Sequence, residues 1–187
     1  MSTAGSGNAA EGSRPPCIVV LGVSGTGKTT IARLLAARLG IPFADADDFH
    51  PPANIAKMSS GVPLEDTDRE PWLTAVGRWL HGHDIAGTGG VVACSALKRR
   101  YRDILQDATP TAYFLLLTAG REQLIERITH RHGHYMPVSL VDSQLAALEP
   151  LHPAERGATL SADADLHTVV EAAAALIRES GWKPAAE

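Results

Sequence analysis

The segment Gly22-Val-Ser-Gly-Thr-Gly-Lys-Thr29 constrains this chain more than any other. It fits the pattern G-x-x-x-x-G-K-[ST] and stands between an apolar, β-branched run, Cys17–Leu21, and a stretch with helical period. In that stretch, Lys28–Leu39, apolar residues fall at Ile31, Leu34, Leu35, Ala36 and Leu39, and Gly40 follows as a C-cap. A strand that turns through glycines into a helix points backbone N–H groups at one spot, where the helix N-terminus adds favourable potential for an anion. Gly22, Ser24, Gly25, Thr26, Gly27, Lys28, Thr29 and Thr30 therefore read as a phosphate cradle for ATP. Lys28 would reach the β- and γ-phosphates, and the Thr29 hydroxyl would ligate Mg²⁺.

The rest of the chain repeats the strand–helix alternation. Strands are expected at Pro42–Asp45, Val91–Cys94, Ala112–Leu117 and, weakly, Ala158–Ser161. Helices are expected at Pro71–His81, Ala96–Gln106, Arg121–His130, Leu140–Leu148 and Leu166–Glu179. Such alternation predicts an α/β fold: a five-stranded parallel sheet flanked by helices in three layers, with ligands at the carboxyl ends of the strands. Residues 1–16, small and polar, read as a disordered tail without an apolar signal core, and residues 17–187 as one kinase-sized domain. A length of 187 residues with 44% hydrophobic content suits a single core. A net charge of −4 argues against wholesale nucleic-acid binding, and no apolar run is long enough for a membrane span. Two cysteines cannot make a disulfide framework, so Cys17 and Cys94 read as buried packing residues of a cytoplasmic protein.

Two absences narrow the class. There is no Asn-Lys-x-Asp element for guanine and no long apolar strand ending in a lone Asp, which leaves a small-molecule or nucleotide kinase. On the acceptor side, Asp45 and Asp47 stand two apart at a strand end and can share one face of the cleft. One carboxylate would hold a Mg²⁺-bound water, and the other would accept a hydrogen bond from the attacking hydroxyl. Asn54, Lys57, Asp66, Asp68 and Arg69 crowd a polar stretch, and Ser95 and Lys98 stand at a strand-to-helix turn. This mixture suits an acceptor with several hydroxyls and a negative charge. Arg99 and Arg100 read as a solvated helix face. Arg127 and Arg131, one helical turn apart, would belong to a lid over about residues 127–138, bringing charge to the transferring phosphoryl group. The alternating His130, His132 and His134 lack a usual zinc spacing.

Taken together, these motifs resemble the gluconokinase family of small P-loop kinases, which are related to shikimate kinases. The resemblance rests on the phosphate cradle, Asp45-Ala-Asp-Asp-Phe-His-Pro-Pro-Ala-Asn-Ile-Ala-Lys-Met58, Gly61–Leu73, Cys94-Ser-Ala-Leu-Lys98, Arg131-His-Gly-His-Tyr135 and Ser143-Gln144. It implies transfer of the ATP γ-phosphoryl group to the 6-hydroxyl of D-gluconate, feeding the pentose phosphate pathway. It further implies Asp45 on the metal through water, and Asp47, His50, Lys57, Arg69, Ser95, Lys98, His134 and Gln144 near gluconate. Lys28, Asp47 and Arg131 become the catalytic groups, with Arg127 and Arg131 as lid arginines, one by adenine and one on the phosphates. A homodimer is compatible with the family. Two departures stand out: Ala46 replaces the usual Gly, narrowing the turn between the aspartates, and Tyr135 replaces Phe. A kinase for another acceptor and an ATP-binding protein without transfer are the competing readings.

Overall fold

The computed structural model describes residues 14–130 and 138–182. Five strands, β1 (Cys17–Leu21), β2 (Phe43–Asp45), β3 (Gly90–Ala93), β4 (Tyr113–Thr118) and β5 (Gly157–Ser161), form one parallel sheet in the order β2-β3-β1-β4-β5. Strand alternation divides the core between the two faces. Ile18 and Val20 of β1 pack with Leu115 and Leu117 of β4 on one face, beneath α1 (Lys28–Leu39) and α7 (Leu166–Glu179). Cys17, Val19 and Leu21 pack with Phe114 and Leu116 on the other, beneath α3 (Asp66–Ile85) and α4 (Arg99–Ala108). The expected three-layer α/β architecture is thus the observed one. The order of the strands came only from the structure.

A third apolar cluster lies at the carboxyl ends of the strands. Val23 of the glycine-rich turn packs there with Leu97, with Leu124 and Ile128 of α5 (Arg121–Thr129), and with Val141 of α6 (Val138–Ala147). The helices on either side of residues 131–137 therefore rest directly on the phosphate cradle.

Three expectations change. The helix expected from Pro71 begins five residues earlier, at Asp66, and carries Pro71 inside it. Asp68 makes that start possible, because its carboxylate accepts the Glu65 N–H at 2.9 Å. The proline withholds an N–H from the Thr67 carbonyl, and Thr67 is exposed, so solvent reaches that group. The polar stretch before it contains a helix, α2 (Pro52–Ser59), and a 3-10 turn over Ala46–Phe49, neither of which the sequence announced. The tail also ends earlier than residue 16: the Pro16 carbonyl accepts the Gly90 N–H at 3.0 Å, extending the pairing of β1 with β3. Residues 1–13 of the expected tail lie outside the described residues. Cys17 and Cys94 are free and buried as read, and burial pushes both thiols up to about 12, so neither is a nucleophile near neutral pH.

Candidate active site

The cradle starts where β1 ends. Gly22 takes φ +145°, and a Cβ there would stand 2.7 Å from the Leu117 carbonyl and 2.9 Å from Thr26 Oγ1. Gly25 takes φ +88° and lies under α5, where a Cβ would meet the Leu124 carbonyl at 3.1 Å. Both positions exclude side chains by backbone angle and by space. Thr26 is buried, and its hydroxyl donates to the Val23 carbonyl at 2.8 Å. It braces the loop from inside, leaving only its backbone for a ligand. Lys28 Nζ donates to the same carbonyl at 3.0 Å. The N-cap of α1, Gly27, carries no side-chain cap, so the first-turn N–H groups face outward for an anion. Ser24 N–H donates to Gln144 Oε1 at 2.7 Å, tying α6 to the cradle.

The register of β2 on β3, with Asp45 opposite Ala93, lifts Asp45 to the height of this loop. There Asp45 Oδ2 accepts the Thr29 hydroxyl at 2.8 Å, and Oδ1 accepts the Asp47 N–H at 3.1 Å. A hydroxyl and a carboxylate in contact at the mouth of a phosphate cradle fit a Mg²⁺ ion and its water shell. Asp47 extends past them with its side chain 86% exposed to the cleft. The surrounding protein and the Asp45 carboxylate push its pKa up, His50 and Lys28 pull it down, and open solvent limits the result. His50 is turned inward, stacked on Trp72 with ring centroids 4.3 Å apart, and burial lowers its pKa. Ala46 is buried at a negative φ, so the replacement of Gly introduces no backbone strain.

A charged wall is built by the first turns of α3 and α4 together with Lys57 of α2. Lys57 Nζ lies 2.7 Å from Asp68 Oδ2, and Lys98 Nζ 3.1 Å from Asp66 Oδ1. Arg100, read from sequence as solvated, sits 2.6 Å from Asp66, which also accepts the Tyr101 hydroxyl. The Tyr101 hydroxyl and then Lys98 hold the Asp66 carboxyl below the usual range, and Lys57 does the same for Asp68. Around the Tyr101 ring stand Arg69, Lys98 and Arg100, at 5.8, 5.5 and 5.4 Å. Three cations around one tyrosine and one carboxylate leave an excess of positive charge suited to an anionic acceptor.

A sequence profile of the shikimate kinase family matches residues 24–175. The gluconokinase of Gluconobacter oxydans is 50% identical over 138 residues, covering 74% of this chain and 78% of that one. The probable gluconokinase of Xenopus tropicalis is 40% identical over 168 residues, covering 82% and 88%. The crystal structure of a gluconokinase from Sinorhizobium meliloti superposes with a TM-score of 0.80 at 43% identity, covering 89% of this chain and 94% of that one. The chain belongs to the gluconokinase family. It is a kinase, and the α/β P-loop fold expected from sequence is the fold of that family's structures.

Most of the gluconokinase-type residues expected from sequence are found around this cleft. Lys28, Thr29, Asp45, Asp47 and His50 converge as described. Ser95 lies half-buried in the loop from β3 to α4. Arg127 Nη2 donates to the Ala162 carbonyl at 2.7 Å, beside the loop from β5 to α7. Thr30 is exposed on the first turn of α1. Arg131 and His134 lie outside the described residues. Among the described residues no group of His, Cys, Asp or Glu forms a metal cluster of its own. Sequence reasoning missed Asp66, Arg100 and Tyr101 as one unit, because nothing in their spacing announces that two helix starts meet. Asn54, named from sequence in the polar stretch, is buried and donates to the Asp68 carbonyl at 2.8 Å.

Proposed function

We propose that this chain is a gluconokinase, phosphorylating the 6-hydroxyl of D-gluconate with Mg·ATP to give 6-phospho-D-gluconate and ADP. The hydroxyl oxygen bonds to the γ-phosphorus, the bond to the β,γ-bridging oxygen breaks, and the hydroxyl proton leaves by way of Asp47. The observation that carries this reading is the bond from Thr29 to Asp45, which brings the acceptor-side turn onto the phosphate cradle and leaves Asp47 open to the cleft. Thr29 directly and Asp45 through water would hold Mg²⁺, which neutralises charge on the phosphates. Lys28 and the α1 N-terminus bind phosphate oxygens, Arg127 flanks the nucleotide, and Arg131 adds charge to the transferring group. His50, Lys57, Arg69, Ser95, Lys98, His134 and Gln144 surround the sugar acid, with the cations around Tyr101 supporting its carboxylate. The chain would work in the cytoplasm upstream of the pentose phosphate pathway, as a monomer or homodimer.

A coupled ADP-release assay across gluconate, shikimate and nucleoside monophosphates tests this. Turnover with gluconate at least about 100-fold above the other acceptors is the expected outcome, since a site built to pair polar groups rejects acceptors that lack them. Turnover of another acceptor without gluconate overturns the proposal.

A further inference from the structure

The peptide unit joining Ala46 to Asp47 is held at both ends. Its N–H donates to Asp45 Oδ1 at 3.1 Å, and its carbonyl accepts the Trp72 indole N–H at 2.6 Å. Trp72 is 1% exposed and lies one turn into α3 beyond the cation-bearing first turn. The same ring lies flat on His50, with an interplanar angle of 13°. His50 in turn has Asn54 Nδ2 3.3 Å from its Nδ1, and its Nε2 stands 4.0 Å from Asp47 Oδ1. One side chain thus touches the turn before Asp47 and the imidazole after it.

Peptide units are planar, so the orientation of the 46–47 plane sets φ at Asp47 and with it the direction of the Asp47 side chain. Asp47 itself has an exposed side chain, approached by His50 Nε2 at 4.0 Å. The Asp45 end of the clamp is shared with Thr29 and the metal region. The carbonyl end depends on Trp72. A residue needed for volume alone would require no donor at this point. We infer that Trp72 is a positioning residue for phosphoryl transfer, aiming Asp47 at the acceptor hydroxyl by clamping the Ala46 carbonyl. This inference rests on the kinase reading above, in which Asp47 meets the attacking hydroxyl.

The test is a double-mutant cycle. Trp72→Phe keeps an aromatic ring against His50 and removes the N–H. Misplacement of a reacting group by about 1 Å costs on the order of 100-fold, so kcat should fall about 10- to 100-fold, with both KM values within about 3-fold of the parent. In an Asp47→Asn background the same change should alter the residual kcat by less than about 2-fold, because the group it aims is already gone. Trp79→Phe, two turns further along α3 and against Gly90, should leave kcat unchanged. An equal loss from Trp72→Phe in both backgrounds, or a lowered melting temperature with kcat unchanged, overturns the inference. Should Trp72→Phe fail to fold, 3-benzothienylalanine at position 72 replaces the N–H by sulfur within the same ring system. An acceptor-independent readout is the Trp72 indole N–H resonance, identified by its loss in the variant. Slow exchange with solvent supports the clamp, and fast exchange overturns it. If the indole is protected but gluconate is not phosphorylated, the proposed function has failed and the clamp stands.

Discussion

Lys28 shows how much a single position can carry. Its ammonium group folds back on the Val23 carbonyl at 3.0 Å, a contact that keeps it over the loop where phosphate oxygens bind. Lys28→Ala should lower kcat by about 100- to 1000-fold, the usual cost of losing one preorganised donor to developing charge. The melting temperature should stay within about 2 °C, because the side chain is only half-buried. Asp45, bonded to the Thr29 hydroxyl, would act differently, through the water shell of the proposed Mg²⁺. Asp45→Asn should raise the Mg²⁺ concentration for half-maximal activity by about 10-fold, the lower bound for losing such a support. A magnesium titration after chelation checks this, and an unchanged midpoint would remove Asp45 from the metal region. Both residues were legible in the sequence, since motif and spacing encode them. The cluster around Asp66 was not, because Lys98, Arg100 and Tyr101 come from the start of a helix more than thirty residues away.

Among the elements, the segment from α6 to β5 has an anchor that no periodicity announced. Arg102 of α4 is 1% exposed. Its guanidinium donates to both Glu155 carboxylate oxygens, at 2.6 and 3.0 Å, and to the carbonyls of Leu97, Glu149 and Pro150. All of these bonds except the one to Leu97 converge on the chain that leaves α6, the helix carrying Gln144. Removing one member strands a buried charge, so Glu155→Gln should cost about 3–5 kcal/mol. Burial pushes the Glu155 carboxyl up, but the Arg102 bonds and the His152 N–H outweigh it and hold the folded-state pKa below the ordinary value. The stability this contributes is complete above the unfolded carboxylate range and is lost as pH falls through the lower folded value. Thermal denaturation from pH 7 to pH 3 should therefore show a steeper acid loss in the parent than in Glu155→Gln. Parallel curves would contradict the anchor. The sequence pattern left Arg102 unassigned because a guanidinium is stable in the interior only when several acceptors meet it, and most of those acceptors come from another segment.

At the scale of the whole molecule, the net charge of −4 conceals its own distribution. Lys28, Arg69, Lys98 and Arg100 gather around one cleft, whereas acidic groups such as Asp103, Asp107, Asp142 and Asp163 lie exposed elsewhere. Attraction of anionic substrates to that cleft is screened over about 8–10 Å at physiological salt. Raising sodium chloride from 0.05 to 0.5 M should raise KM for ATP and gluconate more than it changes kcat or the melting temperature. A salt-independent KM would mean that the cations are fully neutralised by Asp66 and Asp68 before substrate arrives.

The sequence by itself determined the strand–turn–helix cradle, the sheet class and the chemistry of the turn at Asp45 and Asp47. Those features are local: glycine φ angles, apolar period and residue spacing act within a few positions of one another. Tertiary structure alone decided that Asp66 collects cations from the start of α4, that Arg102 is buried, and that Trp72 reaches the Ala46 carbonyl. Each of these needs a donor and an acceptor from segments brought together by sheet order and helix packing. No single stretch of sequence contains both partners.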